Sequence, residues 1–127
     1  MAEDHSSQLQ TVTLVEFGAG PFRFAVEASQ IASVQEVLAQ PTLNAASLLG
    51  VVDAVEAPRV LVVKAGAESV LVSGPVELRD VSVDAIFPLP DLVIARMGIK
   101  GAKALWVDEG SAVVVVDLCG LLEQCAF

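Results

Sequence analysis

Few side chains in this sequence could carry covalent or acid–base chemistry, and their spacing assembles no reaction centre. The single histidine, His5, stands in the polar start Met-Ala-Glu-Asp-His-Ser-Ser, and there is no tyrosine. Ser69, Ser73, Ser82 and Ser111 are available as nucleophiles, but a serine needs a neighbouring base to take its proton, and His5 is the one imidazole present. Cys119 and Cys125 are the two thiols. A bridge between them would close a short terminal loop and constrain little of the unfolded chain, so both are read as reduced packing residues. No further Cys or folded-region His stands ready to complete a zinc tetrahedron with them. Asp80 with Asp84, or Asp108 with Glu109, could form an acid and base pair, yet beside turns and on polar strand faces such acids are ordinary solvated charges. Gly18-Ala-Gly20 and Gly66 lack the lysine and the helix start of a phosphate loop. No catalytic residue, metal ligand or cofactor is therefore expected.

The elements that would position any site are mainly strands. Thr11–Phe17 and Phe22–Val26, separated by Gly18-Ala-Gly-Pro21, read as a hairpin with Phe22, Phe24 and Val26 on one face. Between 27 and 37 the pattern is ambiguous. Ile31, Val34 and Val37 could be a helical stripe, or Ile31–Val34 could be a turn feeding a strand. Pro41–Gly50 is the clearest helix, with Thr42 as cap, Leu43, Ala46 and Leu49 on one face and Gly50 as the left-handed stop. Arg59–Val63 and Val70–Val72 form a second hairpin around Ala65-Gly66-Ala67, followed after Gly74-Pro75 by Val76–Leu78 and Asp80–Asp84.

Ile86-Phe-Pro-Leu-Pro90 cannot be an interior strand, because each proline removes a ladder donor. It is expected to be an extended connector that lays Phe87 and Leu89 onto the core. Ala104–Val107 and Ala112–Leu118 around Asp108-Glu-Gly110 form a third hairpin, and Leu121-Leu122 begin a closing turn or short helix. Trp106 is expected in the core. The run Val113–Val116 suggests a strand covered on both faces, and the whole pattern predicts a mainly all-β barrel or sandwich.

Composition narrows the function classes. With 127 residues, 54% of them hydrophobic, the chain fits one domain able to bury roughly two-thirds of its unfolded surface. Residues 1–8 are expected to be a disordered tail and 9–127 the domain. The formal net charge is −9, and the seven Lys and Arg are scattered singly, which opposes nucleic-acid and anionic-membrane binding. The longest uncharged stretch, 37–52, contains Gln40, Pro41, Asn44 and Ser47, so no membrane-inserted segment is expected. The N-terminus lacks the basic and apolar parts of a signal peptide, which predicts a cytoplasmic protein.

The order of these pieces resembles the CheW-like domain of bacterial chemosensory adaptors across nearly the whole chain. The likeness rests on Phe24-Ala-Val-Glu-Ala-Ser-Gln-Ile-Ala-Ser-Val34, the short helix ending Leu48-Leu-Gly50, the Pro88-Leu-Pro90 connector, and the ending Val-Val-Asp117-Leu-Cys-Gly-Leu-Leu122. The resemblance implies two small SH3-like β-barrels sharing a core, with short helices. It implies a non-enzymatic adaptor of a chemosensory array that binds the cytoplasmic part of a methyl-accepting chemoreceptor in an apolar groove, with Ile31 and Val34 at the receptor contact. Further partners it implies are a CheA-type histidine kinase and other CheW-like proteins.

The chain also departs from that pattern. Leu38-Ala-Gln-Pro41 stands where the family carries an Asn-Leu-Arg-Gly motif and a Pro-Val-Val-Asp-Leu continuation. The loss argues against direct kinase coupling, and the shortened form is similar to the FrzB-type protein of the Frz gliding-motility system. It also leaves open whether one barrel is incomplete, and an unpaired strand edge is a route to a homodimer. Two alternatives remain: a full adaptor bridging receptor and kinase, or a small-ligand sensor holding an apolar molecule between the barrels.

Overall fold

A computed structural model describes residues 10–19, 22–36, 43–51, 57–64 and 68–125; the expected tail at 1–8, Thr42 and the turn at 65–67 lie outside them. Among the described residues nine strands form one continuous sheet: β1 (Thr11–Ala19), β2 (Phe22–Glu27), β3 (Ile31–Gln35), β4 (Leu43–Asn44), β5 (Pro58–Val63), β6 (Ser69–Ser82), β7 (Ile86–Pro88), β8 (Ala102–Asp108) and β9 (Ser111–Val116). Helices α1 (Ala45–Leu49), α2 (Asp91–Met97) and α3 (Leu118–Cys125) interrupt them. The path runs β3-β5-β6-β1-β2-β9-β8-β7, with β4 on β6 off this path. All three expected hairpins are antiparallel pairs, and β2 with β9 is a parallel pair at its centre.

The middle of this sheet is a wall between two cores. Successive side chains on a strand point to opposite faces, and along β1, β2 and β9 both faces are apolar. Val15, Phe17, Phe24, Val26 and Val116 belong to one cluster, while Leu14, Ala25, Val113 and Val115 belong to the other. The valine run in β9 is thus covered on both sides, as its composition predicts. The first core adds Leu61, Val63, Val70 and Val72 from β5 and β6 and is closed by α1 and α3; the second centres on Trp106, which is buried.

The two barrels are built by the same sequence of moves. In each, a strand enters a single 3-10 turn (Ala28–Gln30 or Val83–Ala85) that delivers an isoleucine, Ile31 or Ile86, to the first position of an end strand. The residues before the turns have φ/ψ of −61°/134° at Glu27 and −64°/135° at Ser82. A short helix then stops at a left-handed glycine, Gly50 with φ 83° and Gly98 with φ 73°. The two helix ends are joined by the Lys100 amide donating to the Leu49 carbonyl at 2.9 Å.

Four expectations need correcting. Leu43 and Asn44 are extended and pair in parallel with Val70 and Leu71, so the helix starts at Ala45. Its cap is Asn44, whose side chain accepts from the Ala46 amide at 2.8 Å. β6 is a single strand of 14 residues through Gly74-Pro75, because a register shift opposite Glu16 and Gly18 absorbs the proline. Phe87 is 52% exposed rather than laid on the core, since β7 lies at the end of the sheet path and turns that side chain outward. Finally α2, unforeseen in the sequence, follows Pro90; Asp91 in its first turn and Arg96 in its last suit the helix dipole, and it buries no residue.

Trp106 is the one tryptophan and reports on the second core, whereas Phe24 lies in the first. Because the wall is shared, Phe24→Ala is expected to destabilise the whole chain by about 3–5 kcal/mol. The urea midpoints followed by Trp106 fluorescence and far-UV circular dichroism should move together; separate midpoints would show that the barrels unfold independently.

Candidate docking groove

The two sequence-predicted site residues fall on one groove. Among the described residues β3 is one end of the sheet path, and its one ladder partner is β5. Neither alternative for this stretch holds as expected: the turn lies earlier, at Ala28–Gln30, and Ile31–Val34 is part of the strand it feeds rather than the turn. A register shift between Ile31 and Ser33 separates two roles: Ile31 is 9% exposed and belongs to the first core, whereas Val34 is 43% exposed. Together they line a groove of about 390 Å³ with Val15, Ala28 and Leu78.

Of the members that the sequence does not mark as site residues, Leu78 is the large exposed one. It pairs with Val15 across the β1–β6 ladder and is 69% exposed, the most open of the groove's large apolar side chains. The signal was present as the alternation Val76, Leu78 and Asp80 on one face of β6, but it becomes legible only once β6 is read straight through Pro75.

Because of the equivalent architecture, the second barrel carries a groove of its own, of about 290 Å³, lined by Val12, Leu14, Val83, Ile86 and Pro88. Its wall includes the Lys103 ammonium, which is 2.6 Å from the Glu27 carboxylate.

Electrostatics leave the first groove apolar by gathering cations elsewhere. Glu16, on the opposite face of β1 from Val15, is largely covered and holds Arg23 at 3.2 Å and Arg79 at 3.1 Å. Arg79 also reaches Asp108 at 3.4 Å and Glu77 at 3.9 Å and lies 5.1 Å from the centroid of the Trp106 ring, so it covers the second core while facing three acids. Arg23 further donates to the Pro75 carbonyl at 3.0 Å, bracing the strand where the register shifts. The acid pairs considered in the sequence are engaged singly: Asp80 accepts from the Thr13 hydroxyl at 2.6 Å, and Asp108 from Arg79. Among the described residues no three His, Cys, Asp or Glu side chains converge in a group that could hold a metal ion. No helix of the described residues is long and apolar enough to cross a membrane.

Neither a protein-family model nor a curated protein matches the sequence. Nine solved chains do match in three dimensions. One is the crystal structure of the scaffolding protein TtCheW from Thermoanaerobacter tengcongensis, with a TM-score of 0.71 and 11% identity over 88% of this chain and 88% of that one. The fold is therefore CheW-like, two small barrels on one sheet. At 11% identity the likeness is one of backbone, and the groove side chains are this chain's own.

The burial difference within the groove yields a direct test. Ile31→Ala is expected to cost about 2–5 kcal/mol in urea unfolding because it opens a void in the first core. Leu78→Ser should stay within about 0.5 kcal/mol of the parent. It follows that Ile31→Asp, which would place a charge in the core, is unsuitable as a pure binding variant; Val34 and Leu78 are the residues to change.

Proposed function

We propose that this chain is a non-enzymatic cytoplasmic adaptor of a bacterial chemosensory assembly, and that it binds the cytoplasmic hairpin of a methyl-accepting chemoreceptor in the groove of Ile31, Val34 and Leu78. The observation that carries the reading is the coincidence, in a CheW-like fold, of an apolar groove with the two positions that the sequence resemblance assigns to receptor contact. A groove without charged lining residues suits an aliphatic anchor on a helical partner, where shape and desolvation supply specificity. The similar protein is described as a scaffolding protein, which supports assembly rather than catalysis as the role.

The adaptor is proposed to modulate the coupling of receptor to a CheA-type kinase without the direct kinase contact of a full adaptor. Support comes from the sequence at Leu38–Pro41, where the arginine-bearing motif of the family is missing. In this respect it resembles the FrzB-type shortened form.

Val34→Asp and Leu78→Asp are each expected to weaken binding of a purified receptor cytoplasmic fragment by about 2 kcal/mol, roughly 30-fold, by calorimetry. Their unfolding midpoints should remain near the parent's, because both side chains are already exposed. Parent-like affinity in both folded variants would remove the groove from the receptor contact. Co-purification with the kinase regulatory domain in the absence of receptor would favour the full-adaptor reading instead.

A further inference from the structure

Gln30 ends the 3-10 turn that hands Ile31 to β3, and its side chain reaches the far end of the chain. Its amide nitrogen donates to the Asp117 carboxylate at 3.0 Å, and its amide oxygen accepts from the Cys119 backbone N–H at 3.1 Å. Its backbone carbonyl accepts from the Lys64 N–H at 2.8 Å, holding the same turn against the end of β5. Asp117 caps α3: its carboxylate accepts from the Gly120 N–H at 2.9 Å, and its carbonyl takes the first helical bond, from Leu121, at 3.1 Å.

The first turn of a helix leaves backbone donors without intrahelical partners. Here Asp117 takes one and Gln30, 89 positions away, takes another. The same amide fixes the carboxylate that makes the cap. Glycine at 120 belongs to the arrangement, because a Cβ there would lie 2.5 Å from the Asp117 Oδ2. Leu118, Leu121 and Leu122 of α3 then pack in the same core as Ile31.

We infer that Gln30 is a positioning residue of the docking groove, through which the N-terminus of the C-terminal helix sets the place of the groove's edge strand. The inference rests on the receptor reading of that groove for its binding consequence, but not for its structural one. Two hydrogen bonds from one carboxamide tie turn and helix together, so displacement of either is felt by the other. Linkage then requires that a ligand in the groove also tighten the helix start.

Four variants test this, with Val113→Ala in the second core as a control for simple loss of stability. Gln30→Ala and Gly120→Ala should each raise amide hydrogen exchange at 31–35 and at 118–121 together, in the free protein. Val113→Ala should not single out those two segments. Asp117→Ala should behave like Gln30→Ala, whereas Asp117→Asn should retain the parent pattern, since its side-chain oxygen can accept from both Gln30 and Gly120. Affinity for the receptor cytoplasmic fragment should fall about tenfold in Gln30→Ala and stay unchanged in Asp117→Asn and Val113→Ala. Faster exchange confined to 118–121, with β3 unaltered, would overturn the coupling. So would an undiminished affinity in Gln30→Ala where the parent binds. If the parent itself fails to bind the fragment, the receptor reading falls alone, and the exchange pattern still decides the role of Gln30.

Discussion

Everything in this molecule depends on three strands that are buried on both faces. Most antiparallel sheets keep one side for water, which lets a strand alternate apolar and polar residues. In β1, β2 and β9 adjacent residues such as Leu14 and Val15, Ala25 and Val26, or Val115 and Val116 go to opposite cores. Polar side chains are therefore pushed to strand ends and sheet edges, or, like Glu16, must be met by two arginines. The shortage of chemically active side chains follows from this demand: a chain that must line two cores from one wall has little interior left in which to place them.

The same demand explains which parts of the fold could be read in advance. The hairpins and the two-sided cover of β9 are written locally, in turn residues and in unbroken valines. What escaped depended on distant partners. Leu43 reads as the first apolar position of a helix until β6 offers it a parallel bridge. Pro75 reads as a break until the shift opposite Gly18 lets β6 continue past it. Phe87 is large and apolar, and only the position of β7 at an end of the sheet path explains why it is left half exposed. Helix α2 buries no residue, so it left no periodic stripe to detect.

The candidate site divides in the same way. Ile31 and Val34 were identified by resemblance to a motif of contiguous residues, whereas Leu78 joins them through a ladder spanning half the chain. Gln30 gave no signal, since a lone glutamine before an isoleucine is ordinary until Asp117 and Cys119 are brought beside it. The division also separates the two motif residues by exposure. Ile31 is chiefly a core residue that floors the groove, and Val34 with Leu78 forms its exposed rim.

The two-sided wall has a further consequence for how such a chain can change in length over generations. A single insertion or deletion in β1, β2 or β9 would exchange every following side chain between the two cores, so both barrels would be damaged at once. Among the described residues β3 and β7 each have one ladder neighbour in the sheet path, and a residue gained or lost beside them disturbs far less. Gain and loss of sequence are thus channelled to the margins, and one margin borders the groove. A change of length at that margin can therefore reshape the groove while the shared wall stays intact.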